Sequence, residues 1–432
     1  MVQYLLIFLT VVVTSLFYFP FEFFALPGVN TKMAMSVVGL VLCLYQLAKQ
    51  KEFRIPKDLM MLSLIAFGIS LMAFFTVVYN NTPDYSYVTY FISMWVWLSA
   101  AFVVCTLIKK VHGKLNIELL CQYLIAVCIV QCILALMIDY VPAIKKVVDT
   151  YINQDQAFLN EIGRLYGIGA WLDVAGTRFA ACLIMIVFIA HKYRYKLTQY
   201  ELWGYFISYI FITVIGNIIA RTTIVGVVIS LAYLFFMQKP WKNDIDFKTI
   251  KIWMNIFLLL ALVIPILGYF YANNIQFKEL FRYGFEGFVN YFEDGTWETS
   301  STNKLKTMYV FPETIKTWII GDGYYINPFR IDPYYVGEKV YFAGYYMLTD
   351  VGYLRFIFYF GLIGLIGFII LFVRMARYLI AKAPQYKYLF LMFLLVNFTI
   401  WLKVSTDLFL VFALFYCLTT MIESEKVSNF IK

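Results

Sequence analysis

Apolar runs long enough to cross, or nearly cross, about 30 Å of hydrocarbon recur along almost the whole chain. They lie near 2–19, 33–48, 59–79, 87–108, 117–139, 174–190, 201–219, 222–237, 252–271, 351–373, 387–402 and 407–422. With 62% of the residues hydrophobic and only 14% charged, a water-soluble fold could not hide the apolar surface, so lipid must be the solvent for much of it. The pattern predicts an all-α polytopic membrane protein of about twelve transmembrane helices. The first run lacks a basic start, and Pro20-Phe-Glu-Phe-Phe follows it where a cleaved signal would show small residues. It is therefore expected to remain as a helix.

The basic residues give the orientation. Alternate connections carry Lys49, Lys51, Arg54 and Lys57; Lys109, Lys110 and Lys114; Lys192, Arg194 and Lys196; Lys239, Lys242, Lys248 and Lys251; and Arg374, Arg377, Lys382 and Lys387. Lys426 and Lys432 follow in the tail, for 20 in all, whereas the opposite short connections hold 6 (Lys32, Lys145, Lys146, Arg164, Arg221 and Lys403). That asymmetry places both termini in the cytoplasm with an even helix count. It also accounts for the net charge of +9 without nucleic acid as a partner.

Cys43, Cys105, Cys121, Cys128, Cys132, Cys182 and Cys417 all fall inside apolar runs without CxxC spacing, as small core residues do. His112 and His191 sit in basic clusters at helix ends. No metal site is expected from these residues, and no cofactor. The chain lacks GxxxxGK[ST], GxSxG and HExxH, so ATP-driven and hydrolase chemistries lack their motifs.

Three regions follow from this layout: 1–271, nine helices with a long outer segment near 140–173; 272–349, a large loop on the non-cytoplasmic side; and 350–432, three helices and a cytoplasmic tail. The loop is rich in aromatics, among them Trp297, Trp318, Tyr324, Tyr325, Tyr334, Tyr335, Tyr345 and Tyr346. A disordered linker would be poor in them, so a folded cap with short helices, for example around 304–318, is expected.

A few charges stand where they are costly. Arg178 lies about one turn into the sixth run, Arg221 sits in a tight hairpin, Asp350 and Arg355 open the tenth, and Lys403 and Asp407 flank the last outer hairpin. Such charges either snorkel and pair structurally or face a cavity. Arginines converging on one rim would make an anion site, because guanidinium forks bind phosphate bidentately. The glycines of Gly361-Leu-Ile-Gly-Leu-Ile-Gly367 read as helix packing.

Four stretches carry a family resemblance: Gly163-Arg-Leu-Tyr-Gly-Ile-Gly leading to Gly176-Thr-Arg178; Ala220-Arg-Thr-Thr-Ile-Val-Gly226; Trp318-Ile-Ile-Gly-Asp-Gly-Tyr-Tyr; and Asp350-Val-Gly-Tyr-Leu-Arg with Gly361-Leu-Ile-Gly after it. In order, spacing and sidedness the chain resembles the bacterial O-antigen polymerases (Wzy-type), within the wider group that includes O-antigen ligases. Ligase relatives tend to carry a histidine near the end of the large loop; this chain has Asp350 there, which favours a polymerase.

The resemblance implies a GT-C-like, metal-independent glycosyltransferase in the bacterial inner membrane. Its substrates would be oligosaccharide repeat units on undecaprenyl diphosphate, with the growing glycan moved onto the non-reducing end of the incoming unit at the periplasmic face. A chain-length regulator is a partner by family analogy. The candidate residues are Arg178 and Arg221 for the leaving diphosphate and Asp350 for the acceptor hydroxyl. Arg164, Arg282, Arg355, Tyr353, Asp322 and Arg330 are candidates for binding diphosphate or glycan. The competing readings are an O-antigen ligase, a lipid-linked oligosaccharide flippase or transporter, and an O-acyltransferase. A transporter should show related halves and charges at mid-membrane, and an acyltransferase a histidine in or near the membrane; the chain has neither repeat nor such a histidine.

Reporter fusions after Lys57, Lys114, Lys196, Lys251 and Lys382 are expected to read cytoplasmic, and fusions near Tyr85, Asp155 and Ser300 external. A cytoplasmic signal at Ser300 would reverse the orientation.

Overall fold

A chain segment in hydrocarbon must satisfy its own backbone polar groups, so each apolar run is expected to be helical throughout. The computed structural model describes residues 2–49, 56–161, 163–238, 247–336 and 344–431; Lys51, Arg54, Lys239, Lys242 and Lys432 of the charge pattern lie outside them. A helix occupies every one of the predicted runs. These are α1 (Val2–Tyr18), α2 (Thr31–Lys49), α3 (Lys57–Asn80), α4 (Tyr90–His112), α5 (Ile117–Tyr140) and α6 (Leu172–Lys192). They continue with α7 (Gln199–Ile219), α8 (Thr223–Gln238), α9 (Phe247–Asn273), α10 (Gly352–Lys382), α11 (Lys387–Ile400) and α12 (Phe409–Ile431).

Six of them, α3 to α7 and α10, are long and apolar enough to cross a bilayer, the architecture of a polytopic membrane protein. The others are shorter or less apolar over their described residues. At 14 residues, α11 rises only about 21 Å. Local chemistry sets several ends. Asn116 caps α5, its side chain accepting from Leu119 N, and Thr198 with Glu201 forms a capping box on α7. Asn81 closes α3 in the left-handed conformation.

Two compact units result: Met1–Ala34 with Val104–Glu298, and Met35–Val103 with Thr299–Lys432. The large loop divides between them: its first part, with helices Ile275–Gly284 and Glu286–Asp294, belongs to the first unit, and the part from Thr299 to the second. Around the helix expected over 304–318, the chain forms two short ones, Ser300–Thr307 and Ile315–Ile319, separated by a stretch containing Pro312. The described residues are not purely α. Glu22–Phe23 pairs antiparallel with Ile152–Asn153, over a small core of Ile138, Val148, Ile152, Leu159 and Tyr166.

In the first unit α6 is the central helix, with every residue from Ala175 to Ala190 buried. Small residues let its neighbours come close. A Cβ on Gly226 of α8 would stand 2.4 Å from Ala180 Cα. One on Gly176 would stand 2.9 Å from Ala220 Cβ and Thr222 Cβ.

In the second unit α10 packs along α3 and is broken at Phe360–Gly361. Gly361 has φ 70° and ψ −173°, a region open essentially to glycine alone. The break frees backbone carbonyls, and the Gly321-Asp-Gly323 turn fills them. Asp322 N donates to Phe358 O at 2.6 Å and Gly323 N to Tyr359 O at 3.1 Å. The turn's own carbonyls are taken up by α3 and the residues after it: Thr76 Oγ1 donates to Ile320 O at 3.0 Å and Thr82 Oγ1 to Gly323 O at 2.9 Å. The glycine series therefore does two jobs. Gly367 packs against Ile69 of α3, as expected, whereas Gly361 admits Ile319 O to within 2.0 Å of where a Cβ would be.

Replacing Gly361 by Ala is expected to lower stability in lipid by about 2 kcal/mol or more, from the φ penalty and the clash together. Gly268→Ala, where nothing lies within 4 Å of the added methyl, should leave it unchanged or higher. Thermal unfolding of the two variants in nanodiscs compares them.

Candidate functional site

The arginine stretches of the first unit meet where α5, α7 and α9 end and α6 and α8 begin. The Gly163–Gly169 segment is fixed by Gln131 of α5, whose Nε2 donates to Ile168 O at 2.9 Å and whose Oε1 accepts from Ile168 N at 3.0 Å. Gly169, at φ 68°, admits Phe19 O to 2.4 Å from an added Cβ. The α7–α8 hairpin is held on α6 by a hydrogen bond from Thr222 Oγ1 to Asp173. It is held also by Gly176, which lies under it.

Tyr283, at the end of helix Ile275–Gly284, gathers two of the arginines. The Arg221 guanidinium lies 4.2 Å from its ring centroid and that of Arg164 4.7 Å, within the range of a cation–π contact. Arg221 Nε also donates to Tyr283 O at 2.8 Å, and its Nη1 pairs with Glu286 at 2.6 Å. Gly284 sets this helix against α7, since a Cβ there would stand 3.1 Å from Ile218 Cα. Burial pushes the Tyr283 phenol up, and the two guanidinium charges pull it partly back.

Residues of helix Ile275–Gly284 and its cap line two cavities. One, of about 420 Å³, is lined by Asp139, Lys145, Arg164, Gln276, Glu279 and Tyr283 among others. It is polar at its rim, and Gln276 Nε2 donates to Asp139 Oδ2 at 2.8 Å. The other, of about 310 Å³, is an apolar groove lined by α6 to α9 and by Phe281 and Phe285. Tyr283 stands between those two phenylalanines in the sequence, so one short segment borders both cavities and the arginine pair.

The other candidates of this unit sit differently. Arg178 is buried, with its guanidinium 5.4 Å from the Phe19 ring centroid; its carbonyl accepts from Tyr18 Oη at 3.1 Å. Arg282 forms an exposed ion pair with Glu293 at 2.5 Å, a contact of the kind that contributes little.

In the second unit Asp350 and Arg355 do come together. Asp350 Oδ1 lies 3.5 Å from Arg355 Nη1. Asp350 is not the cap of α10: the N-cap position is Val351, with no side-chain cap bond. Burial, and after it the Asp350 charge, pushes the Tyr345 phenol up. Tyr353 and Asp322, read from the sequence as substrate contacts, make hydrogen bonds within the fold. Tyr353 Oη donates to Phe398 O at 2.9 Å, tying α10 to α11. Asp322 accepts from Lys316 Nζ at 2.7 Å, Thr317 Oγ1 at 2.8 Å and Tyr346 Oη at 3.3 Å, which locks the turn at the α10 break. Arg330 is exposed on the short helix Pro328–Ile331. Asp407 Oδ1 accepts from Phe409 N at 2.8 Å at the start of α12.

Tyr283 and Glu286 were not legible as site residues; no local pattern separates Tyr283 from the other tyrosines of the chain, 35 in all. Among the described residues no group of His, Cys, Asp and Glu side chains has the arrangement of a metal site. No family model, curated protein or solved structure matches the chain.

Proposed function

We propose that the chain is a membrane glycosyltransferase that polymerises oligosaccharide repeat units carried on undecaprenyl diphosphate, at the periplasmic face of the bacterial inner membrane. In this reading it has twelve spans, a GT-C-like fold and both termini in the cytoplasm. One observation carries it: the Arg164–Arg221 pair lies on Tyr283, and Tyr283's own neighbours in the chain, Phe281 and Phe285, wall an apolar groove. Cations and a hydrocarbon-lined groove served by one short segment suit an amphipathic ligand with an anionic head and a long apolar tail. The polar cavity beside Arg164 offers room for the sugars that such a head bears.

The chemistry follows from charge. The acceptor sugar hydroxyl attacks the anomeric carbon of the growing glycan, a new C–O bond forms, and the bond from that carbon to the diphosphate breaks. The diphosphate leaves with the bonding electrons, so its charge grows in the transition state. Preorganised guanidinium groups stabilise that charge better than water does. The hydroxyl proton goes to a carboxylate, and Asp350 is the candidate for that role.

Arg221→Lys keeps the charge but loses the planar fork, as does Arg178→Lys. Both variants are expected to fold and to make polymer more slowly by about tenfold to a hundredfold, measured with purified protein and lipid-linked repeat units. Normal rates would leave each arginine a structural anchor only. Asp350→Asn should lose about a hundredfold or more in rate, the usual worth of general-base help, whereas Asp350→Glu should retain part of it. An Asp350→Asn variant that turns over like the parent would remove the base assignment.

A further inference from the structure

The guanidinium of Arg355 is enclosed. The Tyr325 and Tyr345 ring centroids lie 3.7 and 3.6 Å from its Cζ. Nη1 donates to Ser405 Oγ at 3.0 Å and faces Asp350. Tyr325 Oη and Ser405 Oγ share a hydrogen bond of 2.6 Å, so ring and serine hold each other in place. The Arg355 side chain is 5% exposed. Its Nε and Nη2 are nevertheless buried with no hydrogen-bond partner among the described residues. These two nitrogens form the edge of a guanidinium that grips two oxygens at once. Buried donors left unmade are rare in folded proteins and point to a missing partner.

The backbone beside this edge is strained. Met347 and Leu348 stand at φ 53° and 56°, a conformation that side-chain-bearing residues adopt at a cost. Firm anchors hold them there: Tyr346 Oη bonds Asp322, and Thr349 Oγ1 donates to Met308 O at 2.6 Å. The strained pair joins Tyr345, one wall of the cage, to Asp350. Strain of this kind collects at ligand clamps. Tyr345 is 40% exposed and the Asp350 side chain 26%, so the cage borders solvent.

We propose that the buried, unpartnered Nε–Nη2 edge of Arg355 is a recognition site for a two-oxygen anion, a carboxylate or a phosphate group. The inference rests on the reading above only for what carries the anion: a sugar carboxylate or a phosphate of the lipid-linked unit.

The test is calorimetric titration of the full chain in nanodiscs of neutral lipid with glucuronate and, separately, with inorganic pyrophosphate. Arg355→Lys should weaken binding of one of them about tenfold or more, the loss of one charge-assisted hydrogen bond. Loss with glucuronate identifies a carboxylate, and loss with pyrophosphate a phosphate. If neither ligand binds the parent, or Arg355→Lys binds both as the parent does, the proposal is overturned. Should Arg355→Lys fail to fold, Asp350→Asn decides. It removes the carboxylate competing for Arg355 and should tighten binding about threefold or more; unchanged or weaker binding overturns the proposal. No turnover is needed, so an anion held by Arg355 in a chain that makes no polymer would sink the polymerase reading and leave this one standing.

Discussion

In hydrocarbon a backbone carbonyl without a donor costs several kcal/mol, and this constraint organises the second unit. The Phe360–Gly361 break could not stand alone inside α10. It stands because the glycine turn at 321–323 brings two N–H groups to Phe358 O and Tyr359 O, while the Thr76 and Thr82 hydroxyls donate to Ile320 O and Gly323 O in return. The break thus pins a loop that would otherwise be free to wander. Lys316 and Asp322, paired at 2.7 Å, complete the attachment.

The first unit solves a similar problem with small side chains. Gly176, Gly226 and Gly284 remove bulk where α6, α8 and helix Ile275–Gly284 approach their neighbours, and each close approach positions an arginine-bearing turn. The four stretches that carry the family resemblance therefore fall into two docked pairs. The Gly163–Gly169 and Gly176–Arg178 stretch shares a unit with the Arg221 hairpin. The glycine turn of the loop is bonded to the helix that begins after Asp350.

The helices were the legible part of the fold, because apolar length is a property of a contiguous segment. The orientation signal is legible for the same reason. Pairings between distant segments were not. Nothing near Tyr283 announces that Arg164 and Arg221 will lie over its ring, and nothing in the aromatic richness of 272–349 marks the division of that loop between two units. Gly361 looked like a packing glycine because a positive φ leaves no trace in composition. Tyr353 and Asp322 drew notice by position and chemistry, yet their hydrogen bonds go to the fold. The Asp350–Arg355 pair was more accessible, being five residues apart at the start of one helix.

The brevity of α11 has a consequence for the surrounding lipid. A 14-residue helix is several ångströms shorter than the hydrocarbon core of a bilayer. The mismatch is relieved by thinning of the bilayer along that flank or by drawing the residues at its ends into the interface, each at a modest cost. Trp401, which caps α11 and is fully buried against Phe356, Phe368 and Phe372, keeps that end from lengthening into the lipid. Lipid that borders α11 therefore meets a shorter apolar wall than lipid that borders α10, the 31-residue helix packed beside it.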